Sequence, residues 1–287
     1  MKKIFQTYVP DTFSSPEQLP STEGEGQHWQ HANRSFWESN PMRYAWNDAV
    51  EFEEFSRPFY EEIDKRFFST AREYMPWKHI PFDALIDFEK LRSAKVLEIG
   101  VGMGSHAQLL AAHAGSYTGI DITSHAVKAT SERLRLFNLP AEIHRMDAEH
   151  MSFPDSSFDF VWSWGVIHHS SDTGQILREI HRVLKPGGEA VIMVYHRGWW
   201  NYYICGGFIH GLVLGNLFRT GSLHRTVQNT TDGALARYYT PSSWRNLAHE
   251  HFDVKYVVIK GNKAEVFPFP GGRVKSAIVK SVPNGIT

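Results

Sequence analysis

Short apolar runs alternate, from residue 95 onward, with segments whose apolar positions recur at helical spacing. The runs predict strands over 96–99, 116–121, 141–147, 157–165 and 189–196, and the intervening segments predict helices over 105–115, 124–139 and 172–184. Because consecutive parallel strands need a crossover, this alternation predicts an α/β fold with helices on both faces of a parallel sheet. Ligands of such sheets bind beyond the carboxyl ends of the strands.

The segments outside this alternation differ in character. Residues 1–30 are polar and rich in Pro, Ser, Glu and Gly, which predicts a flexible arm, and residues 31–92 are aromatic-rich and predict an N-terminal helical cap. Residues 93–287 would form the main domain. Within it, 254–260 and 274–280 predict an antiparallel pair that completes a Rossmann-like, seven-stranded, mostly parallel sheet.

One apolar segment follows the fifth predicted strand. Residues 198–218, "GWWNYYICGGFIHGLVLGNLF", carry no Asp, Glu, Lys or Arg. A membrane-spanning helix needs about 20 predominantly apolar residues, so the length qualifies. The glycines, Asn201, His210 and Asn216 argue against a span, and we expect a helical lid over about 198–238, with contact at a membrane surface as the less favoured alternative.

Three glycines alternate directly behind the first strand, in "VLEIGVGMGSH". Glycine reaches positive φ and allows a ligand to approach the backbone, and the following helix presents unpaired N–H groups. The strand–turn–helix unit therefore predicts a small-molecule site at Gly100, Gly102 and Gly104. A tight turn without a ligand is the plainer alternative, since a glycine motif alone is weak evidence.

Two carboxylates narrow the choice of ligand. Asp121 ends the second strand, where an acidic side chain accepts hydrogen bonds from ribose hydroxyls in nucleotide-binding sheets. The dinucleotide pattern G-x-G-x-x-G fails at Ser105, and Glu98 lies where it would repel a pyrophosphate. A nicotinamide-dependent oxidoreductase is therefore disfavoured, and a ligand with an ammonium group is favoured.

Composition excludes several other classes. The chain has 287 residues, 42% of them hydrophobic and 21% charged, and a formal net charge of −1. These values are typical of a globular protein with a large core, and they give no basic surface for nucleic acid. The single cysteine, Cys205, rules out an internal disulfide, and with no signal peptide in the first residues we expect a cytoplasmic protein, monomeric or homodimeric.

The motifs "VLEIGVGMG", "GIDIT", "MDAEHMSFPDSSFDFVWSWGVIHH" and "LREIHRVLKPGGEAVIMVYH" occur in this order. Between about residues 90 and 197 the chain resembles class I S-adenosylmethionine-dependent methyltransferases, in the branch of ubiquinone/menaquinone-type and other small-molecule enzymes. The resemblance implies S-adenosylmethionine as cofactor, S-adenosylhomocysteine as product and a small, hydrophobic or aromatic methyl acceptor. The Asn/Asp-Pro-Pro-Tyr motif of nucleic-acid amino-methyltransferases is absent from "SWGVIHH".

The resemblance also assigns cofactor-binding roles. Glu98 and the three glycines would lie beside the methionine moiety, and Asp121 would accept from both ribose hydroxyls. Asp147 would accept from the adenine amino group with help from the Ala148 N–H, while Met146 or Ile122 would pack on the ring. Ser163 and Trp164 stand where small or amide residues are common.

Candidates for proton transfer lie at the ends of the fourth and fifth strands. His169 or His196 could act as a general base, and Tyr195 lies at the same predicted edge. Local hydrogen bonding of these histidines is the alternative. No metal is expected, because no carboxylate or cysteine accompanies the histidines at ligand spacing.

The acceptor is expected to contact the aromatic cap and the lid. Packing or a surface salt bridge is the alternative for each residue of this set, which comprises Tyr44, Trp199, Tyr203, Arg237 and Tyr239. A non-catalytic, cofactor-binding subunit of the same fold is the alternative to an enzyme.

Overall fold

The computed structural model describes residues 9–44 and 49–261. Three helices precede the sheet: α1 (Glu23–Ser39), α2 (Arg57–Tyr74) and α3 (Phe88–Leu91). The alternating region then runs through β1 (Lys95–Ile99), α4 (Ser105–Ala111), β2 (Ser116–Asp121), α5 (Ser124–Leu136), β3 (Glu142–Arg145), β4 (Phe158–Trp164), α6 (Thr173–Val183) and β5 (Leu184–Met193). A π-helix (Trp199–Val213), α7 (Asn216–Thr220), α8 (Leu223–Gln228) and α9 (Pro241–His249) follow.

The five strands form one parallel sheet in the order β3-β2-β1-β4-β5. β1 and β4 lie in the middle, and their buried residues are mostly apolar on both faces. Leu97 and Ile99 pack with Leu177 of α6 on one face, and Val96 and Trp162 pack with the aromatic side chains of the cap on the other. The α/β architecture is therefore as predicted, with the carboxyl ends of β1, β2 and β4 at a common edge.

The seven-stranded sheet is not seen in the described part of the chain. Residues 254–260, predicted as a strand, form no ladder with β5, and 274–280 lie outside the described residues. β5 consequently has no partner on its outer edge there, and its residues are mostly half-buried rather than buried on both faces. "KPGG", predicted as a turn, is part of β5, which pairs with β4 through an irregular register.

The expected flexible arm is packed where the structure describes it. α1 begins at Glu23, inside the expected arm, because the Thr22 side chain accepts a hydrogen bond from the Glu25 N–H and caps the helix. Phe13 is fully buried and meets Trp29 edge to face, with ring centroids 5.2 Å apart. Burial of two aromatic rings fixes the arm to the body of the protein.

Arg133 of α5 joins the cap to the sheet. Its guanidinium is fully buried, forms an ion pair with Asp64 of α2 and lies 5.1 Å from the ring of Tyr60. The same group donates to the Met103 carbonyl at 3.2 Å and to Gln108 at 2.8 Å. One side chain therefore connects α2, the glycine turn and α4.

The apolar segment 198–218 folds as the π-helix and α7. Tyr202, Gly206, Gly207 and Gly211 are the buried residues of the π-helix. Among the described residues, no helix is both long and apolar enough to cross a membrane. The expected lid is helical, and its π-helix packs on α7 and α8, but none of its residues lines the site described below.

The glycine turn yields a test of stability. Gly100 has φ +82°, and a Cβ there would lie 2.3 Å from a methyl carbon of Val166, whereas Gly215 has φ +71° and open space around it. We expect Gly100→Ala to lower the free energy of unfolding by about 3 kcal/mol or more, since strain and overpacking add. Gly215→Ala isolates the strain and should cost about 1 kcal/mol. Urea unfolding measures both, and equal losses would contradict the packing argument.

Candidate functional site

A crevice opens at the carboxyl edge of the sheet, between the strand ends and the cap. Its volume is about 320 Å³. The residues that line it come from three sources: the loops after β1, β2, β3 and β4, the end of β5, and the cap. The lining includes Gln30, Trp37, Met42, Tyr44, Phe67, Gly100, Gly102, His106, Asp121, Ile122, Met146, Asp147, Ala148, Trp164, His169 and Tyr195.

The three glycines of the turn serve different purposes. All have positive φ, so each favours glycine on conformational grounds. Gly100 packs on Val166 and Gly104 packs on Arg133 and Thr130, so side chains at these two positions would clash with the protein itself. A Cβ on Gly102 would meet no atom within 4 Å, and this residue lines the crevice. Of the three, only Gly102 presents bare backbone to the open space of the crevice.

Asp121 ends β2 at the floor of the crevice. One carboxylate oxygen accepts from the Thr123 N–H at 2.9 Å and hydroxyl at 2.8 Å, and the other accepts from the Gly102 N–H at 3.2 Å. Burial raises the pKa of this carboxyl, an effect that these donors oppose. A carboxylate has about four lone-pair sites, so one remains for a ligand hydroxyl. The prediction that Asp121 accepts hydrogen bonds from both ribose hydroxyls needs two acceptor sites, one more than the carboxylate has left.

Apolar residues and one carboxylate form the end of the crevice near β3. Ile122 and Met146, the residues expected to pack on the adenine ring, line it, and so does Ala148, whose N–H was expected to assist Asp147. The Asp147 carboxylate accepts at one oxygen from the Gln30 side chain at 2.9 Å and from the Glu149 N–H at 2.9 Å. Gln30 is on α1, so the cap contributes directly to this end of the site.

Glu98 does not line the crevice, contrary to expectation. It is 1% exposed, and its carboxyl accepts from the Tyr117 hydroxyl at 2.6 Å and lies 4.0 Å from His106 Nδ1. Burial raises the pKa of Glu98 to about 8. Alternation along β1 explains the correction, because Glu98 faces the side opposite to Ile99, among the aromatic residues of the cap. The raised pKa disfavours the charged form on which the expected ammonium contact depended.

Ser163 and Trp164, the two residues expected at the cofactor site after β4, differ in where their side chains lie. Ser163 is fully buried and donates to the Ile99 carbonyl at 3.4 Å, so its side chain supports the sheet rather than the crevice. Trp164 lines the crevice and stacks on Trp162, with centroids 5.2 Å apart and planes at 6°. A large flat wall therefore replaces the small residue expected at this point.

His169 is one of the residues that line the crevice. Its Nδ1 lies 2.5 Å from the Leu235 carbonyl, so Nδ1 carries the proton and Nε2 holds a lone pair. Nε2 is buried and has no hydrogen-bond partner among the described residues. Burial lowers the pKa of His169, which keeps the ring neutral near pH 7. This arrangement suits a proton acceptor.

Tyr195 and His196 diverge. Tyr195 lines the crevice and donates from its hydroxyl to Asp232 at 2.8 Å, so it contributes a ring wall next to the two histidines. His196 is absent from the lining of the crevice and lines a second cavity beside β5, which Tyr195 also lines. Successive residues at a strand end point to opposite sides, which explains why only one of the pair reaches the site.

Of the five residues expected to contact the acceptor, only Tyr44 lines the crevice. Trp199 and Tyr203 are exposed on the π-helix, and Tyr239 is buried against Trp244. Arg237 is 1% exposed, and its guanidinium donates to backbone carbonyls of Gln18, Ser170 and Ser171. It anchors the arm and the loop after β4, a structural role that a sequence pattern does not reveal.

Of the two elements expected to contact the acceptor, the cap contributes to the wall of the crevice and the lid does not. Trp37 meets His169 edge to face at 5.1 Å, and Tyr44 packs on Phe67 at 4.7 Å. Met42 and His106 complete this side. Helical spacing of the cap aromatics gave a signal, but packing against the sheet explains that signal equally well, so the crevice residues were not separable from the core.

The part of the chain that the structure describes contains no cluster of three or more His, Cys, Asp or Glu arranged to hold a metal ion. The histidines at the crevice lie among aromatic rings: His168 and His169 are 4.1 Å apart at their centroids, and His168 lies 3.9 Å from Tyr195. The side chains that line the crevice can accept a proton, form hydrogen bonds and make apolar contacts.

Comparison with known proteins gives a family for the region that forms this site. Residues 97–192, about a third of the chain, match the family of methyltransferase domains. The 2-methyl-6-phytyl-1,4-hydroquinone methyltransferase of Synechocystis is 30% identical over 160 residues, 54% of this chain and 47% of that protein. Phosphoethanolamine N-methyltransferase 2 of Caenorhabditis elegans is 36% identical over 106 residues, 36% of this chain and 24% of that protein.

Among solved structures, an S-adenosylmethionine-dependent methyltransferase of Methanosarcina mazei is 25% identical, with a TM-score of 0.43. The alignment covers 55% of this chain and 79% of that chain. The chain spans less than half the length of the two curated relatives described above.

The buried histidines predict how stability depends on pH. His168 is fully buried with neither nitrogen hydrogen-bonded among the described residues, and burial lowers its pKa well below the usual value. Below about pH 6.5 the unfolded chain binds a proton there that the folded protein does not, so stability falls by about 1.4 kcal/mol per pH unit for this residue. We expect His168→Phe to stabilise the protein and to reduce this slope by one proton. Urea unfolding between pH 7 and pH 5 measures it, and an unchanged slope would show that His168 is not buried in its neutral form.

Proposed function

We propose that this protein, whose residues 97–192 match the family of methyltransferase domains, transfers the sulfonium methyl group of S-adenosylmethionine to a small, hydrophobic or aromatic metabolite. The observation that carries the proposal is the crevice itself. In it the bare backbone of Gly102 and the carboxylates of Asp121 and Asp147 lie at one end, and the free Nε2 of His169 lies among aromatic walls.

The residues present fit the cofactor. Asp121 retains one acceptor site for a ribose hydroxyl, and the open space at Gly102 admits a ligand against the main chain. Ile122, Met146 and Ala148 suit the faces of adenine, and Asp147 suits its amino group. Glu98 is excluded from direct contact by its burial against Tyr117, so the methionine moiety would meet backbone and cap residues instead.

S-adenosylmethionine supplies an already activated methyl group, so alignment is the main task of the protein. Holding a nucleophile in line at about 3 to 3.5 Å can contribute about 7 to 11 kcal/mol. A general base adds about 10² to 10⁴-fold. His169 fits that second role, since its Nδ1–H is held by Leu235 and its Nε2 can take a proton from a hydroxyl, phenol or amine. Tyr195 and Trp37 hold the imidazole between their rings.

The walls of the crevice support an apolar acceptor. Trp37, Met42, Tyr44, Phe67 and Trp164 line it, and flat rings of this kind bury aromatic or prenyl surface well. The named acceptors of the two relatives are a phytyl hydroquinone and phosphoethanolamine, which are chemically unlike. The hydroquinone is the better match to these walls, because its ring and phytyl chain are apolar and phosphoethanolamine is charged.

A non-catalytic, cofactor-binding subunit is the second candidate, and turnover separates it from an enzyme. Incubation of the protein with methyl-labelled S-adenosylmethionine and a metabolite extract of its source organism would give a labelled small molecule if it is an enzyme. Cofactor binding without any labelled product would favour the binding subunit. Binding of NADH in place of S-adenosylmethionine would exclude both.

Cofactor binding depends on Asp121 in this proposal. We expect Asp121→Ala to weaken binding of S-adenosylmethionine and S-adenosylhomocysteine by at least about tenfold, because a buried hydrogen bond to a charged group contributes about 1.5 to 3 kcal/mol. Asp159→Ala is the matched control, since Asp159 pairs with Lys185 on β5 at the opposite end of the sheet. Titration calorimetry measures both. Failure of the parent protein to bind either compound would refute the proposal.

Proton acceptance by His169 gives a kinetic prediction. With the labelled acceptor in hand, His169→Gln should lower kcat by about 10² to 10⁴-fold and leave the affinity for S-adenosylhomocysteine nearly unchanged. His196→Gln, at a residue that lines the second cavity, should change kcat by less than about twofold. Equal effects of the two substitutions would remove His169 from the mechanism while leaving methyl transfer itself intact, because orientation supplies most of the rate.

A further inference from the structure

The π-helix has an unusual distribution of side chains. Several of its large apolar residues face outward, while three of its glycines and Tyr202 face the protein: Trp199 is 69% exposed, and Tyr203, Phe208 and Leu212 are also exposed. The spacing of these four, by four and five residues, matches the period of a π-helix, about 4.4 residues per turn given its i→i+5 hydrogen bonds. They therefore form one continuous stripe on the surface.

Packing on α8 explains the buried side. A Cβ on Gly206 would lie 2.5 Å from a methyl group of Val227, and one on Gly207 would lie 2.8 Å from Leu223. Close approach of the two helices therefore requires glycine on this face. An ordinary surface helix buries most of its large apolar side chains, whereas this helix buries Tyr202 and leaves Trp199, Phe208 and Leu212 exposed.

The outward stripe continues into the next helix. Val213, Leu214 and Phe218 are exposed, Phe218 to 82%. The residues of this exposed face, called the apolar face below, are Trp199, Tyr203, Phe208, Leu212, Val213, Leu214 and Phe218. A contiguous apolar face of this kind on a globular protein marks an interaction surface.

The charged residues around the apolar face indicate what kind of partner binds it. No acidic residue occurs between Glu189 and Asp232, although the chain has 31 Asp and Glu in total. Arg219 is exposed next to Phe218. It is the only charged residue within 198–220, so the charge beside this end of the apolar face is positive. Trp199 and Tyr203 combine an apolar ring with a polar N–H or O–H, the residue type that settles at the headgroup level of a bilayer.

We infer that the apolar face docks on the surface of a bilayer that contains anionic phospholipid. The π-helix lies in the plane of the interface, with its glycine face on α8 and its large side chains among the acyl chains, while Arg219 meets the headgroups. A helix of 15 residues is too short to cross the hydrocarbon core, so the contact is peripheral. This inference rests on surface composition and not on the proposed methyl transfer.

Vesicle cosedimentation of the full chain tests it. The protein should sediment with vesicles of phosphatidylcholine and phosphatidylglycerol, and the variant F208Q/L212Q should bind at least about tenfold more weakly. The variant L19Q/F52Q is matched, since all four side chains are between 48% and 55% exposed, and it should bind within about twofold of the parent. R219Q should weaken binding to these vesicles and leave binding to pure phosphatidylcholine unchanged.

Two outcomes would overturn the inference. One is the absence of vesicle binding, or equal loss in F208Q/L212Q and L19Q/F52Q. The other is a concentration-dependent dimer in analytical ultracentrifugation that F208Q/L212Q dissociates and that forms in place of vesicle binding, which would assign the face to a second copy of the chain. Calorimetry with S-adenosylhomocysteine should be the same for F208Q/L212Q and the parent, so failure of bilayer docking is distinct from failure of the proposed function.

Discussion

The buried guanidinium of Arg133 is the interaction on which the site depends. It forms an ion pair with Asp64 of the cap and donates to the backbone of the glycine turn, so it sets the distance between the two walls of the crevice. Removing one partner of a buried ion pair costs about 3 to 5 kcal/mol, because the other charge stays buried. The turn, the cap and the crevice between them are therefore coupled through one residue.

Close packing at the glycine turn also couples the turn to the crevice. Gly100 and Gly104 are glycines because Val166 and Arg133 occupy the space of their side chains, and Gly102 is glycine where the crevice needs bare backbone. Gly100 and Gly104 thus fix the geometry of the turn, and Gly102 presents its backbone to the crevice. Asp121 completes the arrangement, since its carboxylate accepts from the Gly102 N–H and fixes the turn against the end of β2.

The division of labour between cap and lid follows from the same geometry. α1 and α2 lie over the carboxyl ends of β1 and β2, so their aromatic residues become the roof of the crevice. The segment after β5 packs on α8 instead, which leaves its large apolar side chains facing out. If the apolar acceptor came from a membrane, the surface that contacts the membrane and the crevice that binds the acceptor would belong to different elements.

The sequence by itself determined the order of the elements, the glycine turn and the positions of Asp121, Asp147 and His169, because these depend on local periodicity and on motifs within one strand–loop–helix unit. The start of α9 is local in the same way, because Thr240 caps the helix and Pro241 lies in its first turn. Only the tertiary structure decided which aromatic residues line the crevice, that Arg237 is a buried anchor and that Glu98 is buried away from the crevice, which raises its pKa. Those properties depend on which face of an element meets which neighbour, and residues as far apart in sequence as Trp37 and His169 acquire a contact only when the chain folds.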